Sequence, residues 1–168
     1  MNKDKIIVSS SDSQYFHLVK ELYLSFKNLA VLDEYDFAIL DTGLDLKQQN
    51  YLRDNNVIIK KAEWNAKVPK YKILGRDNLK TQVARAFLPD YFYNYKVYVW
   101  LDADMWLNDL KSFLLYEKGA LNDRLTIVPQ SDRAYIKNAN VEWLFGFPKK
   151  IKTINYKNIS KSISKSLG

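Results

Sequence analysis

Short β-branched runs alternate with helical periodicity through the first 60 or so residues, and this alternation constrains the fold more than any other feature. Lys5 to Ser9 carries Ile6, Ile7 and Val8 between polar flanks, a run suited to a buried strand. Ser10, Ser11, Asp12 and Ser13 follow, all residue types that cap helices. From Gln14 to Leu29, Phe16, Val19, Leu22, Tyr23 and Phe26 recur at spacings of three and four, the apolar stripe of an amphipathic helix. Tyr35 to Leu40 reads as a second strand, broken by Asp41, Thr42 and Gly43. Leu46 to Asn55 reads as a helix and Val57 to Ile59 as a third strand. Strand, helix, strand, helix, strand predicts an α/β fold, a mostly parallel sheet with helices on both faces.

Residues 62–76 lack a clean period and read as a loop. Asp77 to Leu88 reads as a helix, with Asp77 as its cap and Pro89 just beyond its end. Val97 to Leu101 is the most strand-like run of all, Asp109 to Tyr116 reads as a helix, and Thr126 to Val128 as a short strand. From Lys149 the chain turns to Lys, Ser, Asn and Ile, which predicts a domain over 1–148 and a basic tail over 149–168. Ile159, Ile163 and Leu167 are spaced by four, as one face of a short basic helix able to lie on an anionic membrane would be. A frayed end is the plainer reading of the same residues.

Composition excludes several chemistries. The 168 residues include no cysteine, so disulfides, zinc–thiolate sites and cysteine nucleophiles are out. The single histidine, His17, falls inside the first predicted helix and gives no sign of a Ser-His-Asp arrangement. The five glycines form neither a P-loop nor a G-x-G-x-x-G turn. Residues 1–132 balance 18 basic against 18 acidic side chains, and the whole net charge of +7 lies in residues 133–168. A nucleic-acid footprint belongs on a folded face and not on a tail, so no nucleic-acid partner is expected. With no apolar signal core and no run of roughly 20 apolar residues, the sequence predicts a cytoplasmic protein, with peripheral contact at the inner membrane surface through the tail.

The chemistry concentrates in Tyr98-Val99-Trp100-Leu101-Asp102-Ala103-Asp104. An apolar strand delivers two carboxylates, two residues apart, at its carboxyl end, where open parallel sheets bind ligands. If the chain stays extended, both face one site. If it turns at Ala103, one binds a ligand directly and the other through water. Two carboxylates this close repel, and a divalent cation removes that cost. Hard oxygen ligands suit Mg²⁺ or Mn²⁺, which also bridge diphosphates. The plainer alternative is that both aspartates begin a loop.

Leu101-Asp102-Ala103-Asp104 after an apolar strand resembles the DxD motif of GT-A-fold glycosyltransferases, especially those of glycosyltransferase family 8. Lys80, Arg85 and Pro89, in KTQVARAFLPDYF, resemble that family's helix with a Lys, an Arg and a closing Leu-Pro before the DxD strand. The strand ending in Ser10-Ser11-Asp12 is similar to the family's first strand, whose end meets the nucleotide base, and Val128 to Tyr135 looks like a segment after the DxD helix. The resemblance covers roughly residues 5–135. It implies a nucleotide-diphosphate sugar donor, a UDP-sugar, bound near Ser10, Ser11, Asp12, Lys80, Arg85, Asp102, Ala103 and Asp104. It also implies Mn²⁺ or Mg²⁺ held by Asp102 and Asp104, and transfer of the sugar to a glycan, lipid or protein acceptor. Asp132 is a candidate catalytic carboxylate by its position after a strand.

Full-length members of that family continue into an acceptor half with a further metal ligand, often histidine. No His-x-x-Gly-x-x-Lys-like segment follows here, so the resemblance implies a donor half truncated at its C-terminus, with Trp143, Leu144, Phe145 and Phe147 as candidates for an uncovered apolar patch. Two other classes accommodate the sequence. One is a haloacid-dehalogenase-like phosphatase with Asp102 as nucleophile, although that class places its D-x-D on the first strand. The other is a non-enzymatic membrane-surface or interaction module built on the basic tail.

Overall fold

The computed structural model describes residues 3–68, 73, 75–121 and 124–127, together with the backbone pairing of 139–144 and 147–153. The chain divides into two units, Met1–Thr126 and Ile127–Gly168.

The first unit is built on four parallel strands: β1 (Lys5–Asp12), β2 (Tyr35–Gly43), β3 (Ile58–Lys61) and β4 (Val97–Trp100), in the order β3-β2-β1-β4. The chain steps outward from β1 to β2 to β3, then returns to place β4 on the other side of β1. The register runs from Lys5↔Tyr35 to Ser11↔Asp41 between β1 and β2, and from Lys5↔Val97 to Val8↔Trp100 between β1 and β4. β1 therefore continues four residues past its last pairing with β4.

Side-chain alternation along each strand divides the core in two. Ile7, Phe37 and Ile39 face one layer with Val19, Leu22, Tyr23 and Phe26 of α1 (Phe16–Asn28) and Leu52 of α2 (Leu46–Asp54). Ile6, Val8, Ala38 and Leu40 face the other, against Ala84, Leu88 and Phe92. Helices thus cover both faces, as the alternation predicted. The first layer is aromatic. Tyr23 meets Phe37 edge-on with ring centroids 5.4 Å apart, and Phe113 of α5 (Leu110–Ala120) meets Phe26 and Tyr35, each at 5.3 Å.

Several predicted boundaries move. Ser10, Ser11 and Asp12 extend β1 and do not cap α1, because β2 also runs on to Gly43 and keeps them paired. Asp12 closes the connection instead, its Oδ1 accepting the backbone N–H groups of Gln14 and Tyr15. The helix predicted over 77–88 is segmented and reaches Tyr91. It consists of a 3-10 turn (Asp77–Leu79), α3 (Lys80–Ala84), a second 3-10 turn (Arg85–Phe87) and α4 (Leu88–Tyr91). Pro89 sits in the first turn of α4, not beyond a helix end. A proline has no N–H to donate to the preceding turn but fits a new helical start, so the ladder breaks before it and resumes after. Thr126 and Ile127 are not in a strand, and Val128 lies outside the described residues.

The second unit holds an antiparallel pair, β5 (Ala139–Leu144) and β6 (Phe147–Thr153), absent from the sequence reading. Its strand β6 crosses the boundary drawn at 148/149. Ile159, Ile163, Leu167 and the side chains of Trp143, Leu144, Phe145 and Phe147 lie outside the described residues. Among those described, no helix is long and apolar enough to cross a membrane.

Candidate functional site

Among the described strands, the order reverses at β1, between β2 and β4. In an open parallel sheet such a reversal opens a crevice at the strands' carboxyl ends, because successive connections leave on opposite sides. The predicted groups on β1 and β4 fall at this point.

β4 ends at Trp100, and Leu101 N donates one further bond to Val8 O at 3.0 Å. The chain then turns: Met105 N donates to Asp102 O at 3.0 Å. Of the two geometries open to the sequence, the turned one is adopted. Ala103 packs with Val99, Leu101 and Leu107 on the α1 side, while Tyr98 and Trp100 belong to the opposite layer. Asp102 and Asp104 are both exposed. The indole Nε1 of Trp100 donates to Asp102 Oδ1 at 2.9 Å.

Trp100 also reaches the other predicted motif. The guanidinium carbon of Arg85 lies 5.4 Å from the centre of its ring, within cation–π range. Arg85 Nη2 donates to Gln82 Oε1, one turn earlier. Arg85 Nε is buried and has no hydrogen-bond partner among the described residues. The basic helix and the acidic turn, separate features in the sequence, are thus joined through one indole. Lys80 is not part of this junction; its Nζ pairs with Asp77 at 3.0 Å.

On β1, Ser10 is half-buried, while Ser11 is buried with its Oγ donating to Asp12 O at 2.9 Å. Asp12 and Asp41 both serve turns: Asp41 Oδ1 accepts from Gly43 and Leu44 N–H, and its Oδ2 from Gln49 Nε2. His17 is exposed on α1. Asp132 lies outside the described residues. Sequence reading passed over Trp100 and Gln82. The available signal was parity, since Trp100 stands two residues before Asp102 and an indole N–H is a donor only.

No family model and no curated protein matches the sequence. The chain is similar to two solved structures of the galactosyltransferase LgtC. One is a complex with donor and acceptor sugar analogs and the other an active-site mutant. Each is 21% identical, with a TM-score of 0.49, over 65% of this chain and 41% of LgtC. The chain therefore spans less than half the length of LgtC.

Among the described residues no group of three or more His, Cys, Asp or Glu side chains could hold a metal ion. Asp102 and Asp104 alone suit a cation that takes one or two protein carboxylates and completes its shell with water and phosphate oxygens, which is the habit of Mg²⁺. The donor set is oxygen only, as such a cation requires, and Asp104 has no hydrogen-bond or ion-pair partner among the described residues.

Proposed function

We propose that this chain binds a nucleotide-diphosphate sugar at the carboxyl ends of β1 and β4, as the donor-binding part of a GT-A-fold glycosyltransferase of the family 8 type. The observation that carries the reading is the position of the acidic turn at the strand-order reversal, joined to a cation on the neighbouring helix. A diphosphate needs positive charge around it and a sugar donor needs a leaving group whose charge is held. Asp102 and Asp104 would hold Mn²⁺ or Mg²⁺, which when bound offsets the diphosphate charge. Arg85 supplies a fixed cation beside it, and Lys80 a second once it exchanges Asp77 for phosphate. Ser10, Ser11 and Asp12 form the end of β1 that meets the nucleoside. The sugar would pass to a glycan, lipid or protein acceptor, with UDP as the nucleotide.

A thermal melt with UDP and Mn²⁺ tests this. At a hundredfold excess over Kd the ligand pair stabilises the chain by about 2.7 kcal/mol, a rise of about 5–10 °C for a domain of this size. Asp102→Asn and Asp104→Asn each remove most of that rise. A parent chain whose melting point ignores UDP and Mn²⁺ at millimolar concentration would sink the reading.

A further inference from the structure

We infer that Trp100 is a positioning residue that fixes Asp102 on one side and Arg85 on the other, so that the cation-binding and anion-binding halves of the site share one support. The inference rests on the donor-site reading and adds a residue to it.

Trp100 is the last residue of β4 and lies in register with Val8, which is fully buried. Its backbone is therefore held by the sheet, while its side chain stands in the layer under Ala84 and Leu88. From there the indole makes two directed contacts. Its N–H donates to Asp102 Oδ1 at 2.9 Å, and its ring carries the Arg85 guanidinium at 5.4 Å. The indole N–H can only donate and Asp102 Oδ1 accepts it, so this contact has one direction. The main chain of Asp102 is fixed independently by the bond from Met105 N. Asp102 is thus held at its carbonyl and at one carboxylate oxygen, and Oδ2 has no hydrogen bond among the described residues. A ligand whose second oxygen is held by a neighbouring donor meets a metal ion already oriented.

Arg85 is held in the same way. Gln82 accepts from Nη2, the guanidinium lies over the Trp100 ring, and Arg85 stands in the 3-10 turn just before the Pro89 break. Phenylalanine at position 100 would keep the ring and lose the N–H; leucine would lose both. The two functions of the indole are therefore separable.

The test compares Trp100→Phe and Trp100→Leu with the parent and with Asp102→Asn. Free Mn²⁺ is read by electron paramagnetic resonance, and UDP binding without metal by calorimetry. Trp100→Phe is expected to weaken Mn²⁺ binding about tenfold and to leave metal-free UDP binding within about twofold, since the ring under Arg85 persists. Trp100→Leu is expected to weaken both. A Trp100→Phe variant that binds Mn²⁺ like the parent, while Asp102→Asn has lost it, overturns the positioning role and spares the donor site. A parent that binds Mn²⁺ no better than Asp102→Asn overturns the donor site and the positioning role together. Should Trp100→Phe fail to fold, the indole N–H resonances of the four tryptophans decide. Asp102→Asn is expected to displace one of them, and a spectrum in which it displaces none overturns the inference.

Discussion

The two ends of the four-stranded sheet are both rich in charge, yet they handle it in opposite ways. At the amino ends of the strands, opposite charges meet. Lys5 Nζ lies 2.5 Å from Glu117 and 3.1 Å from Glu34, Lys3 pairs with Asp36, and Lys96 pairs with Asp4 at 2.6 Å. The Tyr95 hydroxyl adds a bond to Asp36 at 2.6 Å. At the carboxyl ends, Asp12, Asp41 and Asp102 accept hydrogen bonds from neutral N–H groups, and no ion pair reaches them or Asp104 among the described residues. Neutral donors orient a carboxylate without cancelling its charge. Among the described residues, one end neutralises its charges by pairing, while the other leaves these carboxylates without an ion-pair partner.

The contrast can be broken experimentally. The largest effect is expected from Lys5→Met. It leaves Glu117, whose side chain is only 11% exposed, without its cation. We expect a loss of about 2 kcal/mol in urea denaturation, with Mn²⁺-dependent stabilisation unchanged. A matching loss of metal response would mean that the two ends are not independent.

Alkali should weaken the amino end next. Hydrogen bonding to Glu117 holds the Lys5 ammonium above its ordinary range, and burial pushes the Tyr35 and Tyr95 hydroxyls up as well. Each folded pKa is raised, so each contribution is complete below the unfolded value near 10 and is lost as pH rises through the folded one. Melting temperatures measured from pH 8 to pH 11 should fall above about pH 10, and Lys5→Met should fall less steeply. Asp109 behaves oppositely. Its bonds from Ser112 lower its pKa, so the support it gives α5 is present above the unfolded value and is lost in acid as pH falls through the folded one.

The smallest effect belongs to Asp104→Asn without ligand, expected to change stability by less than about 0.5 kcal/mol. A substantially larger loss would place Asp104 among the structural carboxylates and sharpen the site to Asp102 alone.

The sheet was readable from the sequence because buried parallel strands consist of short apolar runs, and Ile6 to Val8 and Phe37 to Leu40 are such runs. The place of the turn was readable because Asp102 and Asp104 follow directly on the apolar run Val97 to Leu101. Misreadings arose where one residue serves either of two local structures. Ser10 to Asp12 suit a cap or a strand end, and only pairing with β2 decides. β6 was missed because Pro148 and its three lysines are residue types that strands disfavour. Trp100 was hidden in plain view, since an aromatic residue closing a strand reads as core until its N–H is followed to Asp102.

β4 has only one neighbour within the described sheet. Val97 N and Leu101 N donate toward β1, so the alternation of a parallel strand directs the amides of Tyr98 and Trp100 away from it. Among the described residues the acidic turn is thus fastened to a strand secured along a single side, the kind of segment whose amide protons exchange with solvent soonest. A ligand that bridges the acidic turn and the Arg85 helix would act as a second fastening. Deuterium uptake at Val99 and Leu101 would then slow on binding more than uptake in β2, which is held on both sides, so occupancy could be timed by the opening of one strand.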